Sequence, residues 1–203
     1  MFRRLLSLFA ALMLLVIGTL PANASAYGRV QVTNNRRATY RCSTGYITPV
    51  ASTTDLAELY GSASKTLYLK RVLVNLACVS NGTFPPRVFL IKRSTANSAG
   101  TSATPTVVAC DSNNSTTGAG TVKSYTANPT TGTSVGVVGS ALLGCAYLSI
   151  NGTVQPTVLY ESQPDTEPLI LRGTGEGYCV NFNGTKPDAG SAAVEVTYEW
   201  EAE

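Results

Sequence analysis

Side chains able to do chemistry are few in this 203-residue chain, and histidine is missing altogether. Its absence removes Ser-His-Asp and Cys-His catalysis and the commonest transition-metal ligand. Paired-carboxylate chemistry stays open in principle. The 12 acids are sparse, however, and mostly fall at alternating strand positions. The five cysteines, Cys42, Cys78, Cys110, Cys145 and Cys179, show no C-x-x-C spacing, which argues against zinc and thioredoxin-like readings. The stretch "LILRGTGEGYCVNFNGT" (169–185) gathers a carboxylate, a thiol and alternating glycines. Its "GTGEG" lacks P-loop spacing and has no following Lys-Ser/Thr. Tyr178, Val180 and Phe182 alternate with Cys179, Asn181 and Asn183, so the stretch reads as strand, glycine turn, strand, Asn-Gly turn. Cys179 then faces away from Tyr178, Val180 and Phe182, and Glu176 is a turn residue or an ion-pair partner. "SNNSTTGAG" after Asp111 lacks the carboxylate density of a calcium loop. Asn81-Thr83, Asn151-Thr153 and Asn183-Thr185 are glycosylation sequons in form, with overlapping ones at Asn113 and Asn114, but read better as turns. No catalytic, cofactor-binding or metal-ligating residue can be named, and no cofactor is implied.

The elements around these residues read as strands. In "AAVEVTYEWE" Val194, Val196, Tyr198 and Trp200 share one face while Glu195, Thr197, Glu199 and Glu201 share the other. That is a half-buried strand whose acidic face would discourage edge pairing. "LYLKRVLVNLACV" (67–79) and "RVFLIK" (87–92) flank the turn-rich "SNGTFPP" and read as antiparallel neighbours. Further strand candidates are 29–33, 105–110, 122–127, 141–150 and 157–161. "TDLAELYG" (54–61) is ambiguous: Asp55 and Glu58 imitate a helix capping box, yet an extended segment is possible. The fold class expected is all-β, an antiparallel β-sandwich, jelly-roll-like.

The N-terminus carries Arg3 and Arg4, the apolar run Leu5–Ile17, Pro21, and A-x-A sites at Ala22–Ala24 and Ala24–Ala26. That is the grammar of a bacterial-type signal peptide over residues 1–26. Cleavage leaves 203 − 26 = 177 residues as one domain, 27–203, with 27–50 as a possible N-terminal arm. The destination is secreted, periplasmic or extracellular, with no membrane association after cleavage. There, two disulfides and one spare thiol are the simplest count. Of the 5 × 3 = 15 connectivities, Cys110–Cys145 would staple the Gly/Thr/Asn-rich segment between them. Charge is segregated: residues 27–123 hold 11 − 3 = +8 and residues 124–203 hold 2 − 9 = −7. Either basic and acidic strands lie side by side, or opposed patches favour subunit contact. Scattered basic residues on an exported chain do not suggest nucleic-acid binding.

Several segments together resemble a family of small β-rich proteins from tailed-phage and prophage structural gene regions and environmental sequences. They are "GSASKTLYLKRVLV" (61–74), "IKRSTANSAGTSATPT" (91–106), "DSNN" (111–114), "SYTANPTTGTSVG" (124–136), "LILRGTGEGYCVNFNG" (169–184) and "VEVTYEWEAE" (194–203). The resemblance implies a virion-associated or similar extracellular β-sandwich without enzymatic activity. It also favours a strand over a helix at 54–61. The signal peptide and five cysteines depart from a particle assembled in the cytoplasm and point to a secreted relative. The expected function is a non-enzymatic structural or surface-interaction protein. Its partner would be itself, as a homo-oligomer using the strand "YGRVQVT" (27–33), or a surface or envelope component. The alternative is a carbohydrate- or receptor-binding module using tyrosines and asparagines on loops.

Overall fold

The computed structural model describes residues 37–50, 52–78, 86–143, 146–147, 156–185 and 193–203. The signal peptide and the candidate strand 29–33 lie outside them. In chain order the described strands are β1 (Ala38–Ile47), β2 (Asp55–Tyr60), β3 (Leu67–Cys78), β4 (Arg87–Arg93), β5 (Ser102–Ala103), β6 (Val108–Ala109) and β7 (Thr121–Tyr125). They continue with β8 (Ser134–Leu142), β9 (Ala146–Tyr147), β10 (Thr157–Glu161), β11 (Leu169–Leu171), β12 (Gly177–Asn181) and β13 (Ala193–Ala202). Sheet A runs β10-β3-β13-β1-β6, with β9 and β11 also on β3, and sheet B runs β5-β7-β2-β12-β4-β8. Pairing is antiparallel apart from a two-residue parallel contact between β3 and β9. The described residues form an all-β sandwich of antiparallel sheets, as the sequence led us to expect.

The period-two pattern of β13 does what it should. Val194, Val196, Tyr198 and Trp200 are fully buried between the sheets. Trp200 stacks on Tyr40 at 6.1 Å and its indole N–H donates to Ala119 O at 2.5 Å. The Tyr198 hydroxyl crosses the core to the carbonyls of Ala57 at 3.0 Å and Tyr178 at 3.1 Å, tying sheet A to the β2–β12 ladder.

Four expectations change. The strand β13 is not an edge: it lies between β3 and β1. Its glutamates answer basic residues on those neighbours, as Arg71–Glu199 at 3.0 Å and Lys70–Glu201 at 3.5 Å show. Basic and acidic strands thus lie side by side. Second, β3 and β4 are not neighbours but belong to opposite sheets. Alternation says which face of a strand is buried, not which strand lies beside it. Third, "GTGEG" connects sheets rather than closing a hairpin, because β11 pairs with β3 in one sheet and β12 with β2 and β4 in the other. Glu176 holds this corner by accepting from Arg172 N at 2.7 Å and lying 3.9 Å from Lys92 Nζ. Fourth, residues 38–47 of the segment considered as an arm form a strand paired on both sides.

The ambiguous 54–61 segment is strand β2, and every residue of it is buried. A strand covered on both faces loses its alternation, which is why its sequence imitated a helix.

Candidate functional site

A β-bulge in β2 gathers the polar residues. Val180 pairs with Ala57 and Asn181 with Asp55, leaving Leu56 as the extra residue. Leu56, Ala57 and Leu59 join the core between the sheets, and Asp55, Glu58 and Tyr60 do not. The bulge therefore puts Asp55 on the outer face of sheet B together with Glu58 and Tyr60. Cys179 and Asn181 of β12, Arg93 of β4 and Tyr125 of β7 share that face.

Two segments cover it, 94–101 and 126–133. They bridge each other at Ser98–Thr130 and are tied again by Ser94 N donating to Thr133 O at 2.9 Å. Asn128 anchors the second to the start of β2, accepting from Thr54 N at 3.1 Å and donating to Ser52 O at 2.7 Å. Gly132 is required at its place, because a Cβ there would sit 1.8 Å from Thr95 O.

Under this cover Asp55 receives four donors. Arg93 is bidentate, with Nε at 2.7 Å and Nη2 at 2.9 Å. Asn97 donates at 2.8 Å and Asn181 at 2.5 Å. Arg93 also donates to Gly132 O at 2.7 Å, and Gly132 N donates to Asn97 Oδ1 at 2.8 Å. Such a charge-assisted, fully partnered arrangement is what allows an ion pair to be buried.

Glu58 differs. It is fully buried, its Oε1 has no hydrogen-bond partner, and its Oε2 lies 3.2 Å from Tyr125 Oη. Burial holds its carboxyl above the usual range against the opposing pull of the Tyr60, Cys179 and Tyr125 donors, and nearby Asp55 adds a smaller upward push. Gly177 makes room for it, since a Cβ there would lie 2.1 Å from Oε1. The Tyr60 and Tyr125 hydroxyls are hydrogen-bonded to each other, and Tyr60 also donates to Asn97 O at 3.3 Å. Burial pushes the Tyr60, Tyr125 and Cys179 groups well up, so all three are neutral.

Three quoted segments meet here. "IKRSTANSAGTSATPT" supplies Arg93 and Asn97, "SYTANPTTGTSVG" supplies Tyr125, Asn128 and Gly132, and "LILRGTGEGYCVNFNG" supplies Gly177, Cys179 and Asn181. Sequence reasoning missed the cluster because Asp55 and Glu58 passed for a capping box. The available signal was an acid pair three apart within a segment that also reads as strand.

The cysteine expectations fare otherwise. Cys179 faces away from Tyr178, Val180 and Phe182, as expected, and joins the polar cluster. Cys42 is a buried free thiol in the core, pushed up to about 11 by burial. Cys110 is an exposed free thiol. With Cys42, Cys110 and Cys179 all free, the two-disulfide count does not hold in this structure. Cys110 and Cys179 sit on opposite sheets' surroundings with no bond between them, and Cys145, the suggested partner of Cys110, lies outside the described residues. Among the described residues no group of three metal-ligating side chains forms. Tyr46 is the one exposed tyrosine among them, and it lies in β1 rather than on a loop.

A carboxyl raised by burial beside an Arg-bound carboxylate is the kind of pairing that divides acid from base in many enzymes. Here the exposure is 1% for Asp55 and 0% for Glu58, so both are closed to solvent in this structure. No family model, curated protein or solved structure matches the chain.

Proposed function

We propose that this is an exported, non-enzymatic structural or surface-interaction protein that associates with copies of itself. The observation behind this reading is a contrast between inside and outside. Asp55, Glu58, Arg93 and Cys179 are sealed, and their bonds are directed at the fold. Apolar side chains, by contrast, are left in water along one side. Of six exposed large apolar residues described, Val135, Val137, Leu142 and Val158 lie on β8 and β10. These two strands approach so closely that a Cβ on Gly139 would lie 2.7 Å from Leu159 O. Among the described residues β8 pairs only with β4, and it carries no charge from Ser134 to Leu142.

A second copy approaching β8 would meet a strand with no charge of its own, the flanking cations Arg87 and Lys92 standing on β4 beside Leu142 and Gly136. In an antiparallel two-fold arrangement Arg87, which pairs with Leu142, falls at opposite ends in the two copies. Register shifts leave Val135 and Val138 unpaired on β8. The contact therefore rests more on apolar packing than on strand addition. A place in a virion-associated or envelope assembly, which the family resemblance implies, belongs to the same reading.

Light scattering over a concentration series tests it. The exported protein should self-associate, and Val137→Asp with Leu142→Asp should weaken association by about tenfold or more. A monodisperse monomer at every concentration, identical in both proteins, overturns the reading.

A further inference from the structure

The cover over sheet B is held partly through a row of four oxygens: Glu58 Oε2, Tyr125 Oη, Tyr60 Oη and Asn97 O. Consecutive members are joined at 3.2 Å for Glu58–Tyr125 and 3.3 Å for Tyr60–Asn97, with the tyrosine pair between them. Three hydrogen bonds need three protons. Each tyrosine hydroxyl brings one, and the Asn97 carbonyl brings none. The row is complete only if Glu58 brings the third. All protons then point one way: Glu58 to Tyr125, Tyr125 to Tyr60, Tyr60 to Asn97. With Glu58 ionised, one contact becomes two lone pairs facing each other in a buried site.

We propose that Glu58 is a neutral carboxylic acid whose proton completes this row, so that the 94–101 and 126–133 cover is a pH-operated lock on the outer face of sheet B. The surroundings agree. Asp55 of β2 is occupied by Arg93 of β4, Asn97 and Asn181. Lys123 of β7, opposite Glu58 in register, sends its Nζ over the Tyr60 ring at 5.0 Å. Cys179 of β12, Tyr60 and Tyr125, and Tyr198 of β13 on the far face, are neutral. No cation is hydrogen-bonded to Glu58. Its unpartnered Oε1 is tolerable as a neutral carbonyl and costly as half of an anion.

The sign follows from linkage. A carboxyl raised on folding binds more protons in the folded state. Its contribution is full below the ordinary Glu value and is lost as pH rises through the folded one. The cover therefore loosens toward alkaline pH.

Hydrogen exchange and infrared spectroscopy on the full chain test the proposal. Wild type should show a protonated-glutamate carbonyl band near neutral pH, assigned by isotope-labelled glutamate, that fades on alkalinisation. As it fades, exchange of amides in 94–101 and 126–133, corrected for intrinsic rates, should rise by about tenfold or more between about pH 6 and about pH 9. Glu58→Gln supplies a permanent donor, so its cover should change by less than about twofold over that range. Wild type lacking the band, or Glu58→Gln retaining the wild-type pH response, overturns the lock. If Glu58→Gln does not fold, the wild-type band and its coincidence with cover exchange decide alone.

Discussion

Each sheet carries an arginine–carboxylate pair on its outer face, and the two pairs are nearly the same length. Arg71–Glu199 on sheet A is 3.0 Å with side chains 37% and 27% exposed, whereas Arg93–Asp55 on sheet B is 2.7 Å with 6% and 0%. Arg93 grips its carboxylate with two bonds where Arg71 makes one, but burial separates the pairs further. On sheet A water already solvates each ion, so the bond adds little. On sheet B water has been replaced by Asn97, Asn181 and the Gly132 carbonyl, and each ion depends on those partners to remain buried. Sheet A uses charge to keep a sheet face soluble. Sheet B uses it to fix a cover whose residues come from two separate segments of the chain.

The comparison breaks most visibly at Asp55. Asp55→Ala leaves the Arg93 guanidinium buried without its counter-ion and removes the acceptor of two asparagines. We expect a loss of about 3–5 kcal/mol in urea unfolding. Arg93→Ala should cost a similar amount. The double variant should cost less than the sum of the two, because no orphan charge remains. Additive losses would mean that the pair is not the unit holding the cover.

Gly177→Ala probes the same face through sterics. The added methyl lands on Glu58 Oε1, and the carboxyl must leave its place in the row. A loss of about 1–3 kcal/mol follows, as for other overpacked buried sites. In a Glu58→Ala background the same change should be nearly neutral, since the clashing atom is gone. An equal cost in both backgrounds would assign Gly177 a backbone role instead.

How much of this could be read in advance depended on which face was covered. The face of β13 that meets water kept its alternation, and Val194, Val196, Tyr198 and Trp200 could be placed in the core from sequence. The pattern could not say that β3 and β1 flank it, because pairing is set by the path of the connections. The strand β2 was unreadable for the opposite reason. Its second face is buried under loops, so Asp55, Glu58 and Tyr60 are as enclosed as Leu56 and Leu59, and the bulge at Leu56 breaks the period just where the acids lie. The cover segments looked like ordinary Thr/Gly/Asn-rich loops. Nothing local in "STAN" or "TANPTTG" announces that Asn97 closes over a carboxylate 42 positions away or that Gly132 braces Asn97 from 35 positions further on.

The smallest effects belong to the open face, and they should also carry the opposite pH sign. Arg71→Ala should cost about 0.2–1 kcal/mol, and a double-mutant cycle with Glu199→Ala should shrink with added salt. At the end of the same strand the Glu203 carboxyl accepts from Arg37 Nε at 2.6 Å and from the Tyr68 hydroxyl. The Arg37 bond, then Tyr68, holds it below the ordinary glutamate value. A carboxyl lowered on folding stabilises above its unfolded pKa and stops doing so as pH falls through the folded one. Glu58 does the reverse, its contribution declining as pH rises. Glu203→Gln should therefore flatten the acid side of the stability profile slightly, in a salt-sensitive way, and leave the alkaline side alone. Glu58→Gln should flatten the alkaline side with little response to salt, because the site is closed to ions. If both variants altered the same limb, the two faces would share one electrostatic environment, and burial would not be what distinguishes them.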